Sequence, residues 1–296
     1  MNSKSALIWT GQEYTQMKIY KIYSQSEFET FLFKSNDAYQ KHLHRINKFL
    51  PPDAQDFQVR GFSYTAQQEV NFHCDFAYSE GYPVVNWRER AVCPVTGLNN
   101  RTRAAVHFFE LVSNTFFDDQ IFIFEQTTAL YSHLKESYPN LIGAEFLGHA
   151  VPLGTYDHRG IRNEDGRSLS FPDNHFRAIL SFDVFEHIFD HRKALAECYR
   201  VLAPGGCMLF TVPFNPHSST HVERALELST GEIRHILPPE YHGDPLSGDG
   251  ILCFRHFGWK LLEDLHRAGF TEAHAAIFHS EAMGYYTNQI IFYCQK

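Results

Sequence analysis

No C-x-x-C pair occurs among the six cysteines of this 296-residue chain. Cys74, Cys93, Cys198, Cys207, Cys253 and Cys294 are spread singly, and three of them sit in apolar patterns where cysteine acts as a small hydrophobe. Reduced thiols and a cytoplasmic setting are expected. The opening residues, MNSKSALIWTGQEYTQMKIY, lack a sustained apolar stretch, so neither a signal peptide nor a membrane span is expected. Runs of lysine or arginine are also missing. With 26 basic against 34 acidic residues and a net charge of −8, the chain is a poor match for a phosphate backbone, and no nucleic-acid partner is expected. Internal repeats and low-complexity tracts are absent, and the 18 histidines are scattered.

What is present is an alternating pattern with ample core material, 44% hydrophobic and 15% aromatic. Residues 171–214 are its most informative part. An apolar run from Phe176 to Val184 ends in an acidic turn, Asp183-Val184-Phe185-Glu186-His187. Leu195, Cys198, Tyr199 and Leu202 then fall on one helical stripe. Pro204-Gly205-Gly206 stops the helix, and Cys207–Val212 reads as a strand. Strand, helix and strand with short turns make a right-handed crossover of a parallel sheet.

These words, F-P-D-x-x-F, D-V-x-E-H and R-V-L-x-P-G-G, occur in order at 171–176, 183–187 and 200–206. They resemble the class I, Rossmann-like S-adenosylmethionine (SAM)-dependent methyltransferases, of the type 11-like kind. The resemblance implies an α/β fold: a doubly wound, mostly parallel seven-stranded sheet with an antiparallel last strand. It covers roughly residues 107–296. Strands are expected at Gln120–Gln126, Asn140–Phe146, Phe176–Val184, Cys207–Val212, Ala275–Ser280 and Gln289–Cys294, with a third strand poorly marked between residues 145 and 172. Helices are expected at Leu130–Ser137, His191–Leu202 and Gly258–Ala268. Residues 1–106 read as an N-terminal extension, helical over 1–60 and of loops and short strands over 61–106. Residues 107–296 read as the methyltransferase domain, with a substrate-side insertion at 215–257, too long for an ordinary connection.

One element of the family pattern is lacking. The first strand ends in Glu125, but Gln126-Thr127-Thr128 follows where glycines would let the backbone approach a ligand. Either this turn binds SAM through its own polar groups or the site is degraded. The absence weighs more heavily against a nicotinamide enzyme, because a pyrophosphate needs bare backbone amides and SAM has no phosphate. The other cofactor groups implied are Glu145 at the second strand end for the ribose, Asp165 (or Glu164) for the adenine, Ser168 beside it, and Asp183 for the methionine part or the acceptor. His187 reads as a structural group.

Methyl transfer needs positioning and, for acceptors of high pKa, a base. His242 and then His221 are the candidate catalytic bases, within an insertion that also holds Glu223, Glu240 and Asp244. His217 and His221 share a four-residue spacing, but Pro216 speaks against a helix there, and no metal is expected. Cys93-Pro94-Val95-Thr96-Gly97 resembles a zinc knuckle whose second thiolate is replaced by Thr96. Arg101 and Arg103 could hold an anionic acceptor or the SAM carboxylate. The expected activity is methylation of O or N on a small-molecule or sugar-like acceptor, with SAM as cofactor and S-adenosylhomocysteine as product. The alternative is a SAM- or nucleoside-binding protein without turnover that acts through a partner. A homodimer is left open.

Overall fold

The computed structural model describes residues 17–296 except 54, 244, 245 and 247; Asp244 therefore lies outside the described residues. The first described elements are strand β1 (Tyr20–Ile22) and helix α1 (Gln25–Ile46), capped by Ser24 accepting from the Glu27 amide. A hairpin of β2 (Phe57–Ser63) and β3 (Gln68–Cys74) follows, then a long loop and α2 (Asn100–Val112). The alternating part comprises β4 (Ile121–Ile123), α3 (Ala129–Ser137), β5 (Leu141–Gly143), β6 (Phe176–Phe182), α4 (His191–Val201) and β7 (Leu202–Thr211). The insertion contributes short strands β8 (Val222–Glu223), β9 (Ala225–Glu227), β10 (Ile233–His235), β11 (Tyr241–His242), β12 (Ile251–Leu252) and β13 (Arg255–His256). Helix α5 (Lys260–Ala268) and the long pair β14 (Glu272–Ser280) and β15 (Tyr285–Gln295) complete the chain.

The seven-stranded sheet has the order β1-β14-β15-β7-β6-β4-β5. Pairing is parallel from β5 through β7 and antiparallel beyond, so β15 and β1 run against the other five. The Rossmann-like α/β fold with an antiparallel last strand is as the sequence implied. The expected third strand is reduced to one parallel bridge, Glu145 with Asn163, and the seventh strand comes from β1 at the opposite edge.

Period-two alternation explains the double winding. Phe122 and Ile179 face one core with Leu195, Cys198, Leu261 and Leu265 of α4 and α5. Ile121, Ile123, Ala178 and Leu180 face the other, with Phe108 of α2 and Leu130 and Leu134 of α3. Strands covered on both faces read as continuous apolar runs, which is why β6 was legible. Pro204-Gly205-Gly206, read as a turn, lies within β7, where the register with β6 shifts; Gly205 has φ +74° there.

The boundary expected between residues 106 and 107 falls inside α2. The N-terminal part packs into both cores: Ile22 and Phe28 join the first, Leu98 and Ala104 the second. The expected helical region over 1–60 begins, within the described residues, with a strand. Cys93 is buried and accepts the Ser63 hydroxyl at 3.3 Å.

Candidate active site

A cleft of about 1580 Å³ opens at the C-terminal ends of β4, β5 and β6, where open α/β sheets place their ligands. Three carboxylates stand at these ends: Glu125 just past β4, Glu145 just past β5 and Asp183 just past β6.

Asp183 is held in the left-handed region at φ +57°, a conformation that Asp tolerates better than most residues. Its two oxygens accept from Arg88 Nη2 at 2.7 and 2.8 Å, and Thr211 donates at 2.8 Å. Burial alone would raise its pKa, but the Arg101 and Arg88 charges outweigh that and hold the carboxyl at about 2. Glu125 has the opposite fate. Burial pushes it up to about 7, only partly opposed by a hydrogen bond from Thr128 and the charge of Arg101.

The glycine-poor turn is held by side chains. Glu145 Oε1 accepts from the amides of Gln126 (2.7 Å) and Thr127 (3.1 Å) and from the Thr127 hydroxyl (3.0 Å). Thr128 caps α3 by accepting from the Tyr131 amide at 3.1 Å. The close packing that a loop glycine would provide is supplied by Gly143 on the next strand: a Cβ there would lie 2.5 Å from the Glu125 carbonyl oxygen and 2.6 Å from the Tyr131 ring.

Other expected residues divide clearly. Asp165 lines the cleft but is paired with Arg167 (Nη2 to Oδ2, 2.7 Å). Glu164 spends its oxygens on Arg162 and Ser170. The Gln126 side chain bonds the 160–162 backbone instead of facing the cleft, and Thr127 and Ser168 are exposed outside it. His221 lies away from the cleft, bonded to Asp264 at 2.9 Å beside His191 and Arg192. His242 is on the cleft wall, yet both ring nitrogens are engaged: Nε2 with Glu240 at 2.9 Å and Nδ1 toward Glu186 at 3.5 Å. With Nε2 on Glu240 and Nδ1 facing Glu186, the ring is not presented to the cleft as a free base. His187 is structural in contact, bonded through Nδ1 to the Leu252 carbonyl at 2.8 Å.

The two arginines separate as well. Arg103 is fully buried, donates to the carbonyls of Met283, Ala91 and Gly284, and stacks on Phe72; it holds loops together. Arg101 lines the cleft, and its Nη1 is buried without a hydrogen-bond partner among the described residues. Arg88 and Glu89 were missed by the sequence reading. The only signal was the dense charge of Arg88-Glu89-Arg90 directly after a buried Trp87.

A family model described as "Methyltransferase domain" matches residues 129–210, from the start of α3 into β7. Over these residues the chain is similar to SAM-dependent methyltransferases. A probable S-adenosylmethionine-dependent methyltransferase of Mycolicibacterium smegmatis is 32% identical over 124 residues, 40% of this chain and 47% of that protein. The demethylmenaquinone methyltransferase of Thermus thermophilus is 37% identical over 91 residues, 28% of this chain and 41% of that protein. The matched region thus spans less than half the length of either relative. Among solved structures, a methyltransferase from Mesorhizobium loti gives a TM-score of 0.38 at 13% identity, covering 65% of this chain and 96% of that one. The 1,6-didemethyltoxoflavin-N1-methyltransferase of Burkholderia thailandensis gives 0.41 at 13%, covering 66% and 78%. The methyltransferase domain's matched stretch includes β5, β6 and the loop holding Asp165, but starts just after the Glu125 turn.

Proposed function

We propose that the protein is a SAM-dependent methyltransferase acting on O or N of a small-molecule acceptor bound in the cleft against the 215–257 insertion. The observation that carries this reading is the placing of Glu125, Glu145 and Asp183 at three adjacent parallel strand ends facing one cleft. Its lining holds eight acidic side chains against three arginines, an environment suited to a cationic sulfonium nucleoside and hostile to a phosphorylated one.

The residues present fit the group. Glu145, already holding the turn through Oε1, accepts ribose hydroxyls through Oε2. Asp165 takes the adenine amino group, exchanging part of its pairing with Arg167. Arg101 directs its unpartnered Nη1 at the methionine carboxylate, and Asp183 faces the α-amino group. When bound, SAM supplies a methyl on a positively charged sulfur. The protein's own part is to align the acceptor and exclude water; no cleft residue is assigned as a base, because His242 is already fully bonded and His221 is outside.

Calorimetric titration with SAM and S-adenosylhomocysteine, with NADH as control, tests the reading. Micromolar binding of both sulfur nucleosides and none of NADH is the expected result, followed by S-adenosylhomocysteine release with at least one member of an acceptor panel. Glu145→Ala should weaken SAM by about 1–3 kcal/mol, since hydroxyl partners and the turn's amides are both lost. Absence of binding by either nucleoside would sink the proposal. Binding without turnover on any acceptor would favour the partner-directed alternative.

A further inference from the structure

The insertion carries a group of side chains that the cleft chemistry does not use. Strands β11 and β12 pair antiparallel, Tyr241 with Leu252 and His242 with Ile251, and the Cys253 amide donates to the Glu240 carbonyl at 2.8 Å. This hairpin brings Glu240-x-His242 against Cys253-x-x-His256, two close ligand pairs separated by ten residues. The Nε2 atoms of His242 and His256 approach the same oxygen, Glu240 Oε1, at 2.9 and 2.8 Å. The Cys253 thiol donates to the Arg255 carbonyl at 3.3 Å. The ligand atoms of Glu240, Cys253 and His256 all lie within 4.8 Å of one another. Glu240, Cys253 and His256 thus bring an oxygen, a sulfur and a nitrogen together, and His242 Nε2 reaches the same Glu240 oxygen.

A second, independent feature lies behind them. Glu186 is fully buried, and among the described residues neither of its oxygens has a hydrogen-bond partner. Oε1 faces His242 Nδ1, the nitrogen turned away from the convergence point, at 3.5 Å. A buried carboxylate behind an imidazole is the arrangement that orients a metal-bound histidine and strengthens it as a ligand.

We propose that Glu240, His242, Cys253 and His256 form a four-coordinate zinc site that fastens the insertion to the wall of the cleft. One thiolate, two neutral imidazoles and one carboxylate form a tetrahedral donor set suited to Zn²⁺, and four protein ligands close the site to substrate water, as in structural zinc sites. Arg224 holds Glu240 by Oε2 at 3.1 Å, leaving Oε1 to the metal. Cys253 is buried while Glu240, His242 and His256 remain partly exposed, which gives an entry path. The other His-and-carboxylate cluster, His191, His221 and Asp264, is different: Asp264 already carries Arg192 at 3.0 Å and Arg267 at 3.7 Å, cations that take a metal's place.

The test is metal content of the full chain by plasma mass spectrometry, after purification without added metal and after one equivalent of Zn²⁺ followed by dialysis. One zinc per chain is expected in the wild type, and loss of at least a hundredfold in affinity in Cys253→Ala and His256→Ala. His235→Ala, at an exposed histidine outside the cluster, should keep the metal in full. Co²⁺ substitution should give a thiolate charge-transfer band and intense tetrahedral visible bands, both absent in Cys253→Ser. Cys253→Asp should restore part of the affinity, showing that the loss comes from a missing ligand and not from unfolding. A folded wild type that retains no zinc overturns the proposal, as does zinc retained equally by Cys253→Ala. The readout needs no turnover, so it stands apart from the methyl-transfer reading.

Discussion

Glu125 and Asp183 face the same cleft and titrate in opposite directions, because desolvation outweighs the Thr128 and Arg101 contributions at Glu125 while two arginines outweigh it at Asp183. For Glu125 the folded-state value of about 7 lies above the ordinary 4.5. Between these values the folded protein keeps a proton that the unfolded chain has lost, so stability falls as pH rises through that window. Glu125→Gln removes this loss. Its stability relative to the wild type should grow by roughly 2–4 kcal/mol between pH 4.5 and pH 8, read from denaturant unfolding at each pH. Asp183 has the usual sign: its value of about 2 lies below the ordinary 3.8, so its contribution is full above pH 3.8 and lost as pH falls toward 2. Asp183→Asn keeps the tolerance of φ +57° but leaves Arg88 and Arg101 poorly compensated. A loss of about 2–3 kcal/mol at pH 7, with weaker acid sensitivity than the wild type, is expected.

At the scale of elements, the β4 turn shows how a glycine can be absent from one place because another supplies the space. The turn's backbone is drawn toward β5 by Glu145, and β5 can come that close only because Gly143 has no side chain. Gly143→Ala would set a Cβ against backbone and a ring, neither of which is the free end of a flexible chain. It should cost about 1–3 kcal/mol and weaken SAM binding, measurable by thermal unfolding and calorimetry on the same sample. The sequence made Glu125 and Glu145 visible as strand-end carboxylates, because apolar runs followed by an acid mark where a strand stops. The role of Gly143 was not visible, since nothing in a three-residue strand reveals which neighbour presses on it. The insertion was legible as a long connection rich in histidine. Which histidines meet was not, because the β11–β12 register decides that Cys253 and His256 come to His242 while His221 goes to Asp264.

At the scale of the whole molecule, the N-terminal part completes the fold. Strand β1 covers the edge of β14, and Phe28 packs on Trp259 with ring centroids 5.7 Å apart. An uncovered β14 edge would present unpaired backbone groups to other chains. Removing residues 1–50 is therefore expected to lower the melting temperature and cause aggregation. Phe28→Ala alone should cost about 3–5 kcal/mol. Because the same cores join both parts, calorimetry of the intact chain should give one cooperative transition. Two separated transitions would mean that the N-terminal part folds on its own.

The sequence by itself determined the parallel crossover, the helices α3, α4 and α5, the closing hairpin and the order of strand-end acids, all of which follow from local periodicity and turn chemistry over a few residues. Only the tertiary structure decided that Arg88, from a loop, and Arg101, from the first turn of α2, reach Asp183 some 80–95 positions away. It also decided that β1 stands in for the missing third strand in the sheet count, and that Glu186 is buried behind His242. Charges and ligands meet according to register and topology, and the free energy that selects those belongs to the whole core and not to any short segment of the chain.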